Sequence, residues 1–149
     1  QTVISGSKSC IDKASIELKK IGAKRVVTLN VAGAFHSGIM KNAENSLRED
    51  VFNGTTTFKE GTCPVVMNVS GEIVDTVHDI KDMLVKQVTS SVRWEKSIRT
   101  IEDSGCDYYL EVGCGQVLAG LNKKIRVKAN TISVGTITDL DVLAKELDL

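Results

Sequence analysis

Two histidines, four cysteines and a scatter of serines are the side chains in this sequence that could move a proton or carry an acyl group. His36 lies in NVAGAFHSGIM, residues 30–40, where an apolar β-branched run ends and a helical pattern begins. In a parallel α/β sheet such a junction faces the crevice at the carboxyl edge of the strands. An imidazole that titrates near neutrality suits general-base work, provided a partner on one ring nitrogen fixes its tautomer. The same place also suits a helix-start hydrogen bond or a loop residue without a chemical task. His78, just before DIKDML, reads as a surface residue at a helix start.

A base needs something to activate. A serine nucleophile on an α/β sheet sits in a G-x-S-x-G elbow, and no such pentapeptide occurs in the 149 residues, so Ser37, Ser70 and Ser91 are not elbow serines. The nearest mimic is EVGCGQVLAG, which puts Cys114 between two glycines at a strand-to-helix turn. A thiolate at a helix N-terminus can be activated, but a tight turn and a close approach to a neighbour would also account for the glycines. GCGQVLAG fails the G-x-G-x-x-G spacing, and no Walker lysine follows. The basic stretch NKKIRVK, residues 122–128, reads as a solvated helix end or as part of a patch for an acidic partner.

The elements that must position these residues follow from periodicity. QTVISG alternates like a strand from residue 1, which leads us to expect that the chain continues upstream; SKSCIDKASIELKKIGAK then has an amphipathic helical pattern with a glycine stop, and KRVVTLNV alternates again. Apolar residues at Ile39, Met40, Ala43, Leu47 and Val51 predict a helix directly behind His36. A short buried strand in PVVMNVSG, helices in TVHDIKDMLVKQVTS and RWEKSIRTIEDSG, a strand in YYLEVG, a helix in QVLAGLNKKIR, a strand in TISVGT and a final helix in DLDVLAKEL complete the order. Alternation of this kind predicts an α/β architecture with mostly parallel strands, with a seam near residues 31–37.

Composition narrows the function classes. Nineteen basic and nineteen acidic residues cancel, so net charge favours neither nucleic acid nor an anionic membrane. At 42% hydrophobic residues the chain is ordinary globular protein, and no apolar run approaches the roughly 18 residues of a membrane span. Cys10, Cys63, Cys106 and Cys114 are widely spaced, with no C-x-x-C pair and no histidine cluster, so they read as reduced thiols and no metal site is expected.

Taken in order, VISGS, GAKRVVTLNVAGAFHSGIM, PVVMNVSG, VKQVTSSVRWEKSI and YYLEVGCGQVLAGLNKKI resemble the C-terminal half of the malonyl-CoA:acyl carrier protein transacylase family, across residues 1 to about 134. The resemblance implies malonyl transfer from coenzyme A to the phosphopantetheine thiol of acyl carrier protein in fatty acid synthesis, through a ping-pong serine acyl-enzyme and without a cofactor. It makes His36 the base, and later the acid. It makes Gln87 the residue whose main-chain carbonyl orients the ring, which explains why no Asp or Glu adjoins His36. Phe35, immediately before the histidine, goes with selection of malonyl over methylmalonyl, because its ring fills the space that an α-methyl needs. Met40 and Asn68 match recurring positions and are assigned to packing near the site. The family usually has proline where Cys114 stands.

The implied fold is an α/β-hydrolase-like acyltransferase with an inserted ferredoxin-like subdomain. Residues 1–32 would be the second half of that small subdomain and residues 33–149 the C-terminal part of the large one. The serine elbow, the arginine for the malonyl carboxylate and the oxyanion-hole motif would lie in a missing N-terminal half. Half a sandwich has an open edge and half a core, so the piece is expected to fold poorly alone. The implied partners are acyl carrier protein, a coenzyme A thioester and that missing half, in the cytoplasm or in an organelle stroma or matrix. Two other readings remain: a non-catalytic carrier-protein-binding module using Lys123, Lys124, Arg126 and Lys128 or residues near Arg25, and a cysteine hydrolase built on Cys114.

Overall fold

A computed structural model describes residues 1–147; the chain divides into two compact units, the first Gln1–Arg93 and the second beginning at Trp94. In the first unit, helix α1 spans Lys8–Lys20. Ser7 caps it by accepting from the Cys10 N–H, and Gly22, at φ 93°, ends it in a conformation that a Cβ would resist. Lys19 and Lys20 sit in the last turn, where the helix dipole favours cations.

The alternating runs on either side of α1 do not form strands, contrary to the strand–helix–strand expectation. A strand exists only as part of a ladder, and among the described residues neither run pairs with another strand. Their apolar side chains remain uncovered: Val3, Val27, Leu29 and Val31 are each more than half exposed.

A 3₁₀ turn, Gly38–Met40, leads into α2, Lys41–Asn53, as the apolar spacing predicts. Strands β1, Val65–Val66, and β2, Ile73–Val74, form an antiparallel hairpin in which Val65 pairs with Val74 and Val66 with Ile73. This departs from the mostly parallel expectation. A two-residue strand is too short to show a period, which is why β2 was not foreseen. The hairpin turns at Met67–Gly71, with the Gly71 N–H donating to the Met67 carbonyl at 2.8 Å and Gly71 at φ 68°. Helix α3, Val77–Lys86, is capped by the Thr76 hydroxyl and packs on α2. Val51 and Val85 are buried in this unit, and Arg48 on α2 pairs with Asp82 on α3 at 3.1 Å.

The second unit carries the expected parallel pair. Strands β3, Tyr108–Val112, and β4, Asn130–Val134, run side by side in the register Tyr108↔Asn130 through Val112↔Val134. Helix α5, Val117–Ile125, makes the crossover that a parallel pair requires. Helix α4, Trp94–Asp103, buries Ile98 against the unit's interior, and the Tyr109 hydroxyl donates to the Ile98 carbonyl. Helix α6, Ile137–Glu146, starts with a capping box between Thr136 and Asp139. Among the described residues no helix is long and apolar enough to cross a membrane.

Candidate active site

The last carbonyls of any α-helix lack intrahelical donors and must find partners elsewhere. At the end of α3, the Met83 carbonyl accepts from the Gln87 N–H, Val85 from Val88, and Lys86 from Thr89 and Ser90. The next two carbonyls, those of Gln87 and Val88, turn to His36. The His36 backbone N–H donates to the Val88 carbonyl at 2.9 Å, and ring Nδ1 lies 2.7 Å from the Gln87 carbonyl. A carbonyl can only accept, so Nδ1 carries the proton and the neutral ring keeps its lone pair on Nε2. This is a tautomer that suits a general base, fixed through the ring nitrogen that carries the proton.

The backbone at His36 is left-handed, with φ 62°. Few non-glycine residues accept that region, and such strain tends to gather at functional sites. Ser37 follows, but its hydroxyl donates to the Ala34 carbonyl at 2.6 Å and is engaged locally. Phe35 is half exposed. Gly33 leaves it room: a Cβ there would approach the Phe35 ring to 3.3 Å and the Met40 sulfur to 3.6 Å, so Phe35 and Met40 flank one small space.

Gln87 contributes its side chain as well as its carbonyl. Its Oε1 accepts from Asn68 Nδ2 at 3.1 Å, so Asn68 is joined directly to the residue that holds the histidine. Sequence reasoning also missed Glu44. This carboxylate is 5% exposed and accepts from Lys41 at 2.7 Å and from the Thr89 hydroxyl at 2.5 Å, which ties α2 to the segment just after Gln87. The available signal was position: Glu44 lies four residues beyond Met40 and three before Leu47, on the apolar stripe of α2.

Hydrogen bonds from Lys41 and then Thr89 hold the Glu44 carboxyl below the usual carboxylate range, against the opposing effect of burial. A lowered folded-state value contributes stability above the unfolded value of about 4.3, lost as pH falls through the folded one. Thr89→Val, which leaves a buried carboxylate oxygen short of a donor, should cost about 1–3 kcal/mol at neutral pH. Denaturant midpoints measured from pH 7 down to pH 3 should show the gap between wild type and variant narrowing below about pH 4.3; a constant gap would mean that the hydroxyl acts through packing alone.

The other candidates lie apart from this chemistry. His78 is exposed and sets its ring edge-on to Phe52, 5.8 Å between centroids. Cys114 is exposed, and the start of α5 behind it is already occupied: Glu111 accepts from the Leu118 and Ala119 N–H groups, each at 2.9 Å. Those bonds, Ala119 first, pull the Glu111 carboxyl below the usual range. Gly113 and Gly115 are needed for φ values of 134° and 100°, and a Cβ on either would meet nothing within 4 Å, so backbone conformation rather than close approach accounts for them. Within the basic stretch Asn122 is not solvated but 2% exposed, and it donates to the Thr131 hydroxyl. All four cysteines are free, and no cluster of three or more His, Cys, Asp or Glu side chains suited to a metal occurs among the described residues.

The structures that this fold matches are α/β acyltransferases. Solved neighbours include an acyl-carrier-protein-S-malonyltransferase from Bartonella henselae (TM-score 0.88, 30% identity, covering 97% of this chain and 45% of that one). Another is a malonyl-transacylase in complex with its type II PKS acyl-carrier protein (TM-score 0.88, 30% identity, 95% of this chain and 45% of that one). In sequence, the malonyl CoA-acyl carrier protein transacylase of Bacillus subtilis (strain 168) is 37% identical over 147 residues, 99% of this chain and 46% of its own length. No protein-family model matches. The resemblance to malonyl CoA-acyl carrier protein transacylases therefore holds along nearly the whole chain, which spans about half the length of the curated relatives it matches.

Proposed function

We propose that this chain supplies the histidine-bearing part of a serine-dependent malonyltransferase, which moves a malonyl group from coenzyme A to the phosphopantetheine thiol of acyl carrier protein by a ping-pong route. The observation that carries the reading is the 2.7 Å contact between His36 Nδ1 and the Gln87 carbonyl, which frees Nε2. In the first half-reaction Nε2 takes the proton of a serine as its oxygen attacks the thioester carbonyl, then returns a proton to the departing coenzyme A sulfur. In the second it deprotonates the carrier thiol, which attacks the acyl-serine and regenerates the serine hydroxyl. The imidazolium formed between these transfers keeps both ring protons, the one on Nδ1 donated to the Gln87 carbonyl. The reaction asks for no cofactor beyond the thioester substrate.

The serine, its elbow and the carboxylate-binding arginine would come from the other half of the enzyme. On this reading residues 1–32 complete an inserted ferredoxin-like subdomain and residues 33–149 belong to an α/β-hydrolase-like large one. The uncovered Val3, Val27, Leu29 and Val31 support it, since strands of the other half would give those runs their ladder partners and cover their side chains. Acyl carrier protein is the proposed acceptor, supported by the carrier complex of the structural neighbour, and the cytoplasm the proposed location.

Radiolabelled malonyl-CoA tests the assignment. The 149-residue chain alone should stay unlabelled, whereas the protein with both halves should be acylated on a serine; label on the isolated chain would overturn the division. In the complete protein Phe35→Ser should shift the malonyl to methylmalonyl kcat/KM ratio toward methylmalonyl by about tenfold or more, the effect of opening room for one methyl. An unchanged ratio would remove Phe35 from the acyl pocket.

A further inference from the structure

We propose that Asn68 is a positioning residue, which sets the tautomer of His36 through the side chain of Gln87. The inference deepens the catalytic reading of His36, though its geometry stands independently. A main-chain carbonyl at a helix end is free to tilt, because no ladder fixes it. The Gln87 carbonyl bonded to His36 is such a group, one residue beyond the end of α3. Besides its bond to His36, Gln87 is tied from outside the helix through its side chain, where Asn68 Nδ2 reaches its Oε1 at 3.1 Å.

Asn68 is itself held on a rigid support. It lies in the hairpin turn after β1, where the Gly71 N–H donates to the Met67 carbonyl at 2.8 Å and the Met67 N–H to the Glu72 carbonyl at 3.1 Å. Its own carbonyl accepts from the Arg93 N–H at 2.8 Å, and the neighbouring Val69 carbonyl accepts from Arg93 Nε at 3.0 Å. Thr89, two residues past Gln87, is pinned to Glu44 from the opposite side. The turn that presents the Gln87 and Val88 carbonyls is thus fixed at both ends, by the hairpin through Asn68 and by α2 through Glu44. The hydrogen bond of the Asn68 side chain goes to the Gln87 side chain and not to the ring or the main-chain carbonyl, so it acts on His36 by holding Gln87.

Nitrogen-15 NMR of histidine-labelled protein reads this directly, because the two ring nitrogens report which of them carries the proton. This chain has only two histidines, so labelling it alone within the assembled protein, in a His78→Gln background, leaves a single set of signals. The background protein should hold neutral His36 almost wholly in the Nδ1–H form. Asn68→Ala and Gln87→Met, which break the same bond from its two sides, should both raise the Nε2–H fraction several-fold, and Gln87→Glu, which keeps an acceptor for Asn68, should restore the Nδ1–H form. Unchanged tautomers in folded Asn68→Ala and Gln87→Met proteins would overturn the proposal, as would loss of the Nδ1–H form in Gln87→Glu equal to that in Gln87→Met. If Asn68→Ala fails to fold, the Gln87 pair decides alone. No acyl transfer enters the measurement, so a failed malonyltransferase reading and a failed Asn68 role remain separate results.

Discussion

His36→Ala is expected to lower malonyl transfer by the complete enzyme by about 10²–10⁴-fold in kcat, the usual span for removing a positioned general base. Alanine alone does not isolate the ring, because residue 36 sits at φ 62° and a non-glycine side chain there carries strain of about 1–2 kcal/mol. Asparagine tolerates the left-handed region better than alanine and has no imidazole. His36→Asn should therefore fold as well as wild type, keep the backbone bond to the Val88 carbonyl, and lose as much activity as His36→Ala. If His36→Asn keeps wild-type kcat while His36→Ala does not, the backbone and not the ring is what the site requires. The discriminating readout is kcat, since a base that acts in the chemical step leaves substrate affinity largely unchanged.

Much of this frame was legible in the sequence, and where it was not the reason is physical. Helices α2 and α3, the parallel pair β3–β4 and the crossover α5 were readable because each buries one face against neighbours within the same unit, and burial imposes a period. The runs around α1 also have a period, but no strand among the described residues pairs with them, so the same alternation leaves Val27 and Leu29 exposed instead of paired. At the site, His36 and the Gln87 carbonyl came from family resemblance, since main-chain acceptors have no signature in side-chain letters. The Val88 carbonyl, Thr89 and the bond from Asn68 to Gln87 stayed hidden for a related reason: which loop groups meet depends on how α3 ends and where the hairpin turn lies, and neither is fixed to within a residue by periodicity. Glu44 alone had left a mark, as a carboxylate on an apolar stripe.

The dependence of the site on how α3 ends leads to the second large effect, at Val85. Its side chain is 0% exposed, the most buried in the described structure, and it lies two residues before Gln87. Its carbonyl accepts from the Val88 N–H, so the residue anchors both the packing of the last turn of α3 and the first bond of the carbonyl-bearing segment. Val85→Ala removes two buried carbons and leaves a void, at a cost of about 2–3 kcal/mol in unfolding free energy. The packing around the void relaxes only in part, and a displacement of the Gln87 carbonyl by about 1 Å is enough to reduce transfer roughly 10²-fold in the protein that remains folded. Val134→Ala is the matching control: Val134 is 4% exposed on β4, in the other unit, and takes part in none of the hydrogen bonds described at His36 and Gln87. Denaturant midpoints should fall comparably for both variants, while the Nδ1–H signal of His36 should weaken only in Val85→Ala. A site built on side-chain contacts would separate these two properties. One that hangs an imidazole on the carbonyls just past a helix end joins them, because whatever seats the helix also aims the carbonyl.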